Sequence, residues 1–222
     1  MRPMFLLESG ESSGGVSLRS LFDGGPVTIA RSRLTLGDVA FLTCRGGWPK
    51  AVGQPKELAL QQAQDYVDAV VESDISRVNG VRRDPERVCM LMRSYARMTA
   101  SQGSYETMLR DVAKLGLSFG RTSFLEYVAA LKRLFVTDDL GAWNPNLRAK
   151  EDIRTSPTRH FVDPSIATAA LGAGPGDLMG DLNTFGLVFE SLCVSSQSEC
   201  DVKICVVFAS EASYDSSRMR GG

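Results

Sequence analysis

The stretch from Asp84 to Asp163 constrains the fold of this chain more than any other part of its sequence. Its first helix is predicted to begin at Asp84, because a carboxylate can cap a helix there and Pro85 suits the first helical position. The residues that follow form one buried stripe at helical spacing. This stripe consists of Val88, Leu91, Met92, Tyr95, Ala96 and Thr99.

Two further helices and a glycine-bounded turn complete a helix-turn-helix pattern. Ser104 can cap the second helix, and the short turn over residues 116–120 carries an apolar plug. In the third helix we expect an inner face of Phe124, Val128, Leu131, Leu134 and Phe135. The outward side chains are expected to be Arg121, Ser123, Tyr127, Ala130 and Arg133.

Two strands are predicted after the third helix, over residues 136–143 and 159–162, with a long polar loop between them. Helices followed by a strand, a loop and a strand are the order of a winged helix-turn-helix. The predicted fold is therefore mainly α with a small β wing, in which this core is flanked by helical segments. Flanking helices are predicted over residues 16–22, 36–43, 57–72, 165–171 and 177–194, with a linker over residues 173–176.

Composition narrows the class of protein. The chain has 222 residues, of which 43% are hydrophobic, and a formal net charge of −1, which argues against a chain built wholly for nucleic acid. No apolar run approaches the roughly 20 residues that span a bilayer, and the apolar start is too short for a signal peptide. Five cysteines without a pairing pattern and a single histidine indicate a cytoplasmic protein without a histidine-rich metal site.

Several phrases together resemble one family, the bacterial and archaeal AAA-type ATPases that carry a C-terminal domain of unknown function. In that family a P-loop ATPase module precedes a winged helix and a restriction-endonuclease-like domain. The similarity covers about residues 1–194. Its phrases are Arg2–Met4, Glu8–Gly14, Arg45–Pro49, Val70–Arg77, Val81–Arg87, Leu134–Val136, Ala142–Trp143, Arg154–Pro157, Arg159–Pro164 and Thr184–Leu192.

The resemblance implies four segments. Residues 1–83 correspond to the C-terminal edge of the ATPase module, 84–163 to the winged helix, and 164–194 to the first helices of a truncated nuclease-like domain. The tail, residues 195–222, departs from the family and is expected to be disordered. This abrupt loss of family character favours a frameshifted or truncated gene as a hypothesis.

Neither of the family's catalytic sites is expected in this chain. The sequence has no G-x-x-x-x-G-K-[ST] loop, so the phosphate cradle of the ATPase is missing. No Glu-x-Lys follows Val194, and Glu190 alone cannot build a nuclease site. ATP and Mg²⁺ therefore belong to the full-length family, and we expect no enzyme activity and no cofactor here.

Double-stranded DNA is the first predicted partner, because a helix-turn-helix places its third helix in the major groove and its wing on the backbone. Nearby acids, among them Glu126, Asp138 and Asp139, oppose this interpretation, and the alternative is a packing or protein-interaction surface. The expected DNA contacts are Arg121, Ser123, Tyr127, Arg133, Arg148, Lys150, Arg154 and Arg159.

Arginines before the first helix of this stretch permit a further interpretation. In oligomeric ATPases an arginine can stabilise a neighbour's γ-phosphate, and Arg82 or Arg83 are the candidates for such an inter-subunit role. The alternative is a solvated start of the helix, paired with nearby carboxylates. For His160, the expected role is that of a structural hydrogen-bond partner.

Three functions are consistent with these patterns. The first is a non-catalytic interaction and DNA-contacting module of an AAA-type ATP-binding protein, with DNA, a protein or an ATPase module as partner. The second is a truncated or frameshifted remnant without independent activity. The third is a stand-alone winged-helix DNA-binding regulator.

Overall fold

The structure, a computed structural model, describes residues 3–15, 23–25, 32–116, 118–141 and 156–197. This part of the chain is mainly helical. Its α-helices are α1 (Leu36–Arg45), α2 (Lys56–Ala69), α3 (Ile75–Arg77), α4 (Pro85–Ala96), α5 (Tyr105–Lys114), α6 (Arg121–Arg133), α7 (Pro164–Leu171), α8 (Pro175–Gly180) and α9 (Leu182–Gln197). The predicted helix 16–22, the loop residues 142–155 and the tail from residue 198 lie outside the described residues.

Side-chain caps set the starts of the helices, as the sequence predicts. The carboxylate of Asp84 accepts a hydrogen bond from the Glu86 N–H at 3.0 Å, and the Ser104 hydroxyl accepts one from the Thr107 N–H at 3.1 Å. Each bond satisfies a backbone donor that the first helical turn leaves free. The predicted starts of α4 and α5 are confirmed.

The predicted single helix over residues 177–194 is wrong, because Asp181 divides it. Asp181 leaves helical geometry and its carboxylate accepts the Thr184 N–H at 3.1 Å, so it ends α8 and caps α9. The predicted linker is also wrong. The N–H of Gly174 donates to Asp177 at 2.8 Å, and Pro175 begins α8 at once.

The two predicted strands form isolated bridges rather than regular strands in the described part. Thr137 pairs with Phe161 and Leu140 with Thr158, both antiparallel, and Thr99 pairs with Arg159. The carbonyl of Val136 accepts a hydrogen bond from the N–H of Val162. The N–H of Val136 instead donates to the Leu131 carbonyl at the end of α6 (3.0 Å), so the second bond of a regular strand pair is missing. The described residues contain no sheet, and a complete winged helix stays a prediction.

One hydrophobic core connects the first three of the four predicted segments. Its buried cluster includes Ala40 from the first segment, Val88 and Phe161 from the second, and Ile166 and Val188 from the third. Helix α4 packs against α7, and α7 packs in turn against α1, α2 and α9. The residues on both sides of the predicted boundaries at 83 and 163 therefore pack into one shared core.

A buried carboxylate joins the start of the chain to this core. Asp163 accepts the N–H of Gly47 and the N–H of Ser165, each at 2.8 Å, while the Trp48 indole N–H donates to the Ser165 hydroxyl at 2.9 Å. Gly47 in turn accepts the N–H of Met4 at 2.7 Å. Burial raises the pKa of Asp163, against the effect of its hydrogen bonds, which lower it.

Gly46, beside this carboxylate, is expected to tolerate no side chain. A Cβ there would collide with Ser165 Oγ and Asp163 Oδ1, and the backbone has a φ of +71°. Gly46→Ala should therefore lower the free energy of unfolding by about 1–2 kcal/mol for the left-handed backbone and about 1–3 kcal/mol for the collision. Urea unfolding measures the change.

Gly53→Ala is the matched control, because Gly53 also has a positive φ (+77°) but would place its Cβ in open space. This variant should lose only the backbone contribution. Equal losses in the two variants would contradict the packing that we describe around Asp163.

His160 ties the last helix to the bridged segments. It is 2% exposed, and its Nδ1 lies 2.8 Å from the Ser191 hydroxyl of α9, as expected for a structural hydrogen-bond partner. Its Nε2 has no hydrogen-bond partner in the part of the chain that the structure describes. Next to it lies a cavity of about 30 Å³, also lined by Arg45, Asp138 and Asp163. A space of that size holds about one water molecule.

The stability of the fold should fall in weak acid because of His160. Burial lowers its pKa from 6.5, while Asp139 and Asp138 act in the opposite direction. The unfolded chain then takes up the proton first, so this stabilisation is complete above pH 6.5 and is lost as the pH falls through the lowered pKa.

Urea unfolding at about pH 8 and about pH 5, on either side of the ordinary histidine pKa, tests this expectation. We expect the wild-type chain to lose more stability between the two conditions than His160→Gln, which cannot titrate. Parallel losses in both proteins would assign the acid sensitivity to other groups.

Candidate nucleic-acid interface

Helices α5 and α6, with the turn between them, lie where the sequence predicts a helix-turn-helix. Met108 and Val112 bury the inner face of α5, and Phe124 and Leu131 bury that of α6. Phe119 in the turn meets the ring of Phe124 edge-on, with centroids 5.9 Å apart. The apolar plug predicted for the turn therefore fixes the position of α6 against the core.

The outer surface of α6 differs from the predicted one at two positions. Tyr127 and Ala130, expected to face outward, are only 9% and 1% exposed. The Tyr127 hydroxyl accepts the N–H of Asp84 at 3.0 Å and its ring packs on Phe119, so the side chain serves the start of α4. The exposed residues, here called the α6 face, are Arg121, Thr122, Leu125, Glu126, Ala129, Lys132 and Arg133.

Phe135 is also placed differently from the prediction. It is 72% exposed rather than inward, because the chain leaves α6 through a left-handed backbone conformation at this residue (φ +54°). Leu134 beside it packs partly against the core. The predicted helical spacing thus extended two residues beyond Arg133, where the helix ends.

The α6 face has cations at both ends. Arg121 forms an exposed ion pair with Glu106 at 2.5 Å, and Lys132 contacts Asp139 at 2.9 Å. The pair of Arg121 with Glu106 is exposed on both sides and contributes little, whereas the side chain of Asp139 is buried. Arg133 is exposed in the last turn, whereas Ser123 is half-buried in the first.

The segment from 105 to 133, which contains both helices, has more basic than acidic residues. The basic residues are Arg110, Lys114, Arg121, Lys132 and Arg133, and the acidic ones are Glu106, Asp111 and Glu126.

Arg159 was expected on the surface of the wing, and this expectation is wrong. Its side chain is only 3% exposed. Its guanidinium donates to Asp139 at 2.7 Å and to the Gly103 carbonyl at 2.8 Å, and it lies 4.3 Å from the centroid of the Tyr105 ring. The buried carboxylate of Asp139 requires this partner, so Arg159 is held inside the protein.

Asp139 is the centre of a larger polar cluster. Besides Arg159 and Lys132, it accepts a hydrogen bond from the hydroxyl of Tyr95 on α4. Burial, followed by the proximity of Asp139, raises the pKa of Tyr95. The cluster therefore connects α4, the end of α6 and the bridged segments.

The two arginines considered for an inter-subunit role differ in exposure. Arg82 is exposed, whereas Arg83 is 6% exposed. The Arg83 guanidinium donates to the carbonyls of Ile75 at 2.7 Å and Val78 at 3.1 Å, where it closes the segment after α2. This geometry makes Arg83 a backbone-capping group, since its donors already face inward.

The remaining predicted contacts, Arg148, Lys150 and Arg154, lie outside the described residues. Sequence reasoning missed Lys132 as a member of the α6 face. It also missed the apolar pair Leu125 and Ala129, whose spacing of four residues is the signal that places them on one side of a helix.

The described residues provide no constellation for metal-dependent chemistry. Within them, no group of three or more His, Cys, Asp or Glu side chains is placed to hold a metal ion. The pKa of Glu190 is raised by burial alone. The same ranges contain no helix with the length and apolar character to cross a membrane.

Truncating Arg159 should damage the fold, whereas truncating Arg133 should not. Arg159→Ala leaves the carboxylate of Asp139 buried with fewer partners, and we expect a loss of about 3–5 kcal/mol in the free energy of unfolding. Arg133→Ala, on the exposed end of α6, should change it by no more than about 0.5 kcal/mol. Thermal or urea unfolding compares the two, and similar small losses would show that Arg159 is not a structural residue.

Comparison with known proteins gives a family for most of the chain. Residues 36–177, which contain α1 to α7, match the family model described as a domain of unknown function, DUF8612. No curated protein and no solved structure matches the sequence. Since the matched range covers more than half of the chain, this protein belongs to the DUF8612 family.

Proposed function

We propose that this chain is a non-catalytic interaction module of an AAA-type ATP-binding protein, and that it contacts double-stranded DNA through the α6 face. The observation that carries the DNA contact is the position of the exposed cations. Arg121 begins α6 and Arg133 ends it, about 18 Å apart along the helix. A helix in the major groove, about 12 Å wide, would bring both ends close to the flanking phosphates.

The bridged segments after α6 support the same proposal. Leu140 and Thr158 exchange two backbone hydrogen bonds of 2.9 Å, so the two residues that flank the loop are held side by side. The loop sequence holds Arg148, Lys150 and Arg154. The loop sequence also holds Glu151 and Asp152, so it has one positive charge in excess. A loop anchored beside the third helix is the arrangement in which a wing reaches the DNA backbone.

The middle of the α6 face agrees with groove contact of modest strength. Leu125 and Ala129 are apolar and suit the methyl group of thymine, while a glutamate such as Glu126 can accept a hydrogen bond from cytosine. Glu126 also repels phosphate. We therefore expect binding that depends on few phosphate contacts, so that its affinity falls with salt at a shallow slope.

The ATPase part of the proposal is supported by the family resemblance in residues 1–83. In this segment Arg45 is buried, and its guanidinium pairs with Glu11 while it donates to the Gly46 carbonyl at 3.0 Å. These contacts hold the start of the chain against α1, where an attached ATPase module would connect. The module itself would supply the nucleotide site.

Fluorescence anisotropy with a mixed-sequence duplex tests DNA contact. Binding should weaken as salt rises, and Arg121→Ala and Arg133→Ala should each reduce affinity and lower the slope of log affinity against log salt by about one. Arg77→Ala is the matched control, because this arginine of α3 is 78% exposed but lies outside the α6 face. Salt-independent binding, or an equal effect of the control, would refute the proposal.

A further inference from the structure

The outer side of α9 carries apolar side chains that nothing in the described structure covers. Leu182 is 61% exposed and Phe189 is 43% exposed. Gly186 lies between them, and a Cβ there would meet nothing within 4 Å. Spacings of four and three residues place Leu182, Gly186 and Phe189 in one line about 10 Å long. We call these three residues the α9 stripe.

This stripe is not needed for the packing of α9 itself. The adjoining side of the helix buries Phe185, Val188 and Leu192 in the core, and Ser191 contacts His160. Single exposed apolar residues are common on protein surfaces, but an aligned set is not explained by that tendency. The gap over Gly186 provides a depression between two apolar side chains, of the kind that receives a side chain from another helix.

The charged side chains in the stripe's own segment of the chain are all acidic. Residues 160–197 contain no lysine or arginine. Asp181 at the start of α9 and Asp177 in α8 are exposed, and Glu190, next to Phe189, is half-buried. The carboxylates of Asp177 and Asp181 cap helices, but they keep their negative charge at the surface.

We infer that the α9 stripe binds an amphipathic helix of a partner protein, one whose apolar side chains are flanked by lysine or arginine. The partner's apolar side chains fill the depression over Gly186, and its cations face Asp181 and Glu190. Helices that dock in this way contact the binding surface through apolar side chains at positions i, i+3, i+4 and i+7. Complementary charge then selects a basic partner.

A second copy of this chain is a poorer occupant of the stripe. Two copies that paired through α9 would place the same surface against itself. Asp181 and Glu190 of both copies would then meet without any cation from residues 160–197. Like charges placed together in this way disfavour association.

The test uses a synthetic helical peptide of leucine and lysine, with leucines at helical spacing, and the same peptide with glutamate in place of lysine. Fluorescence anisotropy with the full chain should show that the leucine–lysine peptide binds at least about tenfold more tightly, an effect that shrinks with salt. Leu182→Ser and Phe189→Ser should each weaken this binding by about tenfold. Glu190→Gln should reduce the preference for the lysine peptide.

The matched control is Leu58→Ser, because Leu58 of α2 is 57% exposed but lies outside the stripe. It should bind the peptide as the wild-type chain does. Equal binding of both peptides, or an equal loss in Leu58→Ser, would overturn the inference. Sedimentation that showed a dimer dissolved by Phe189→Ser would also overturn it, in favour of a second copy. Duplex binding should be unchanged in the stripe variants, so this inference and the proposed DNA contact fail separately.

Discussion

The carboxylate of Asp163 is the interaction on which the arrangement of the helices depends. A carboxylate at 2% exposure is stable only if its oxygens receive hydrogen bonds, and here the donors are the N–H groups of Gly47 and Ser165. A Cβ at Gly46 would collide with Asp163 and Ser165, and one at Gly47 would collide with the backbone of Met4, which explains the two successive glycines. The second donor fixes the start of α7. Since α7 packs against α1, α2, α4 and α9, this one group sets the frame for the whole described core.

Asp139 organises the other half of the molecule by the same principle. Its oxygens bind Arg159, Lys132 and Tyr95, so the end of α6, the bridged segments and α4 meet at one buried charge. A buried carboxylate without a partner would be strongly destabilising, and Arg159 is buried because it pairs with Asp139. A side chain that was predicted to contact DNA is thereby part of the scaffold, and the proposed DNA contact is left to the α6 face and the loop sequence that follows.

The sequence predicts the features that depend on contacts between neighbouring residues, and it does not predict those that depend on contacts between residues far apart in the chain. Caps such as Asp84 and Ser104 act within three residues, so the starts of α4 and α5 follow from local chemistry. The burial of Arg159 depends on Asp139, 20 residues away, and that of Tyr127 depends on Asp84, 43 residues away. No spacing within α6 shows that a tyrosine hydroxyl will cap the approach to α4. Of the DNA contacts predicted on α6, Arg121 and Arg133 are exposed because their cations have no comparable buried partner to satisfy.

A net charge of −1 conceals a separation of charge along the chain, on which both proposed binding surfaces depend. Basic residues outnumber acidic ones from 105 to 133, whereas the segment from 160 to 197 has no cation. Because salt screens exposed charges beyond about 10 Å, each partner responds to the local surface rather than to the net charge. A duplex approaching α9 would meet carboxylates and be repelled, while at α6 it would meet Arg121 and Arg133. The acids that would repel DNA at α9 would favour a basic helix there, so the two proposed surfaces would not compete for one partner.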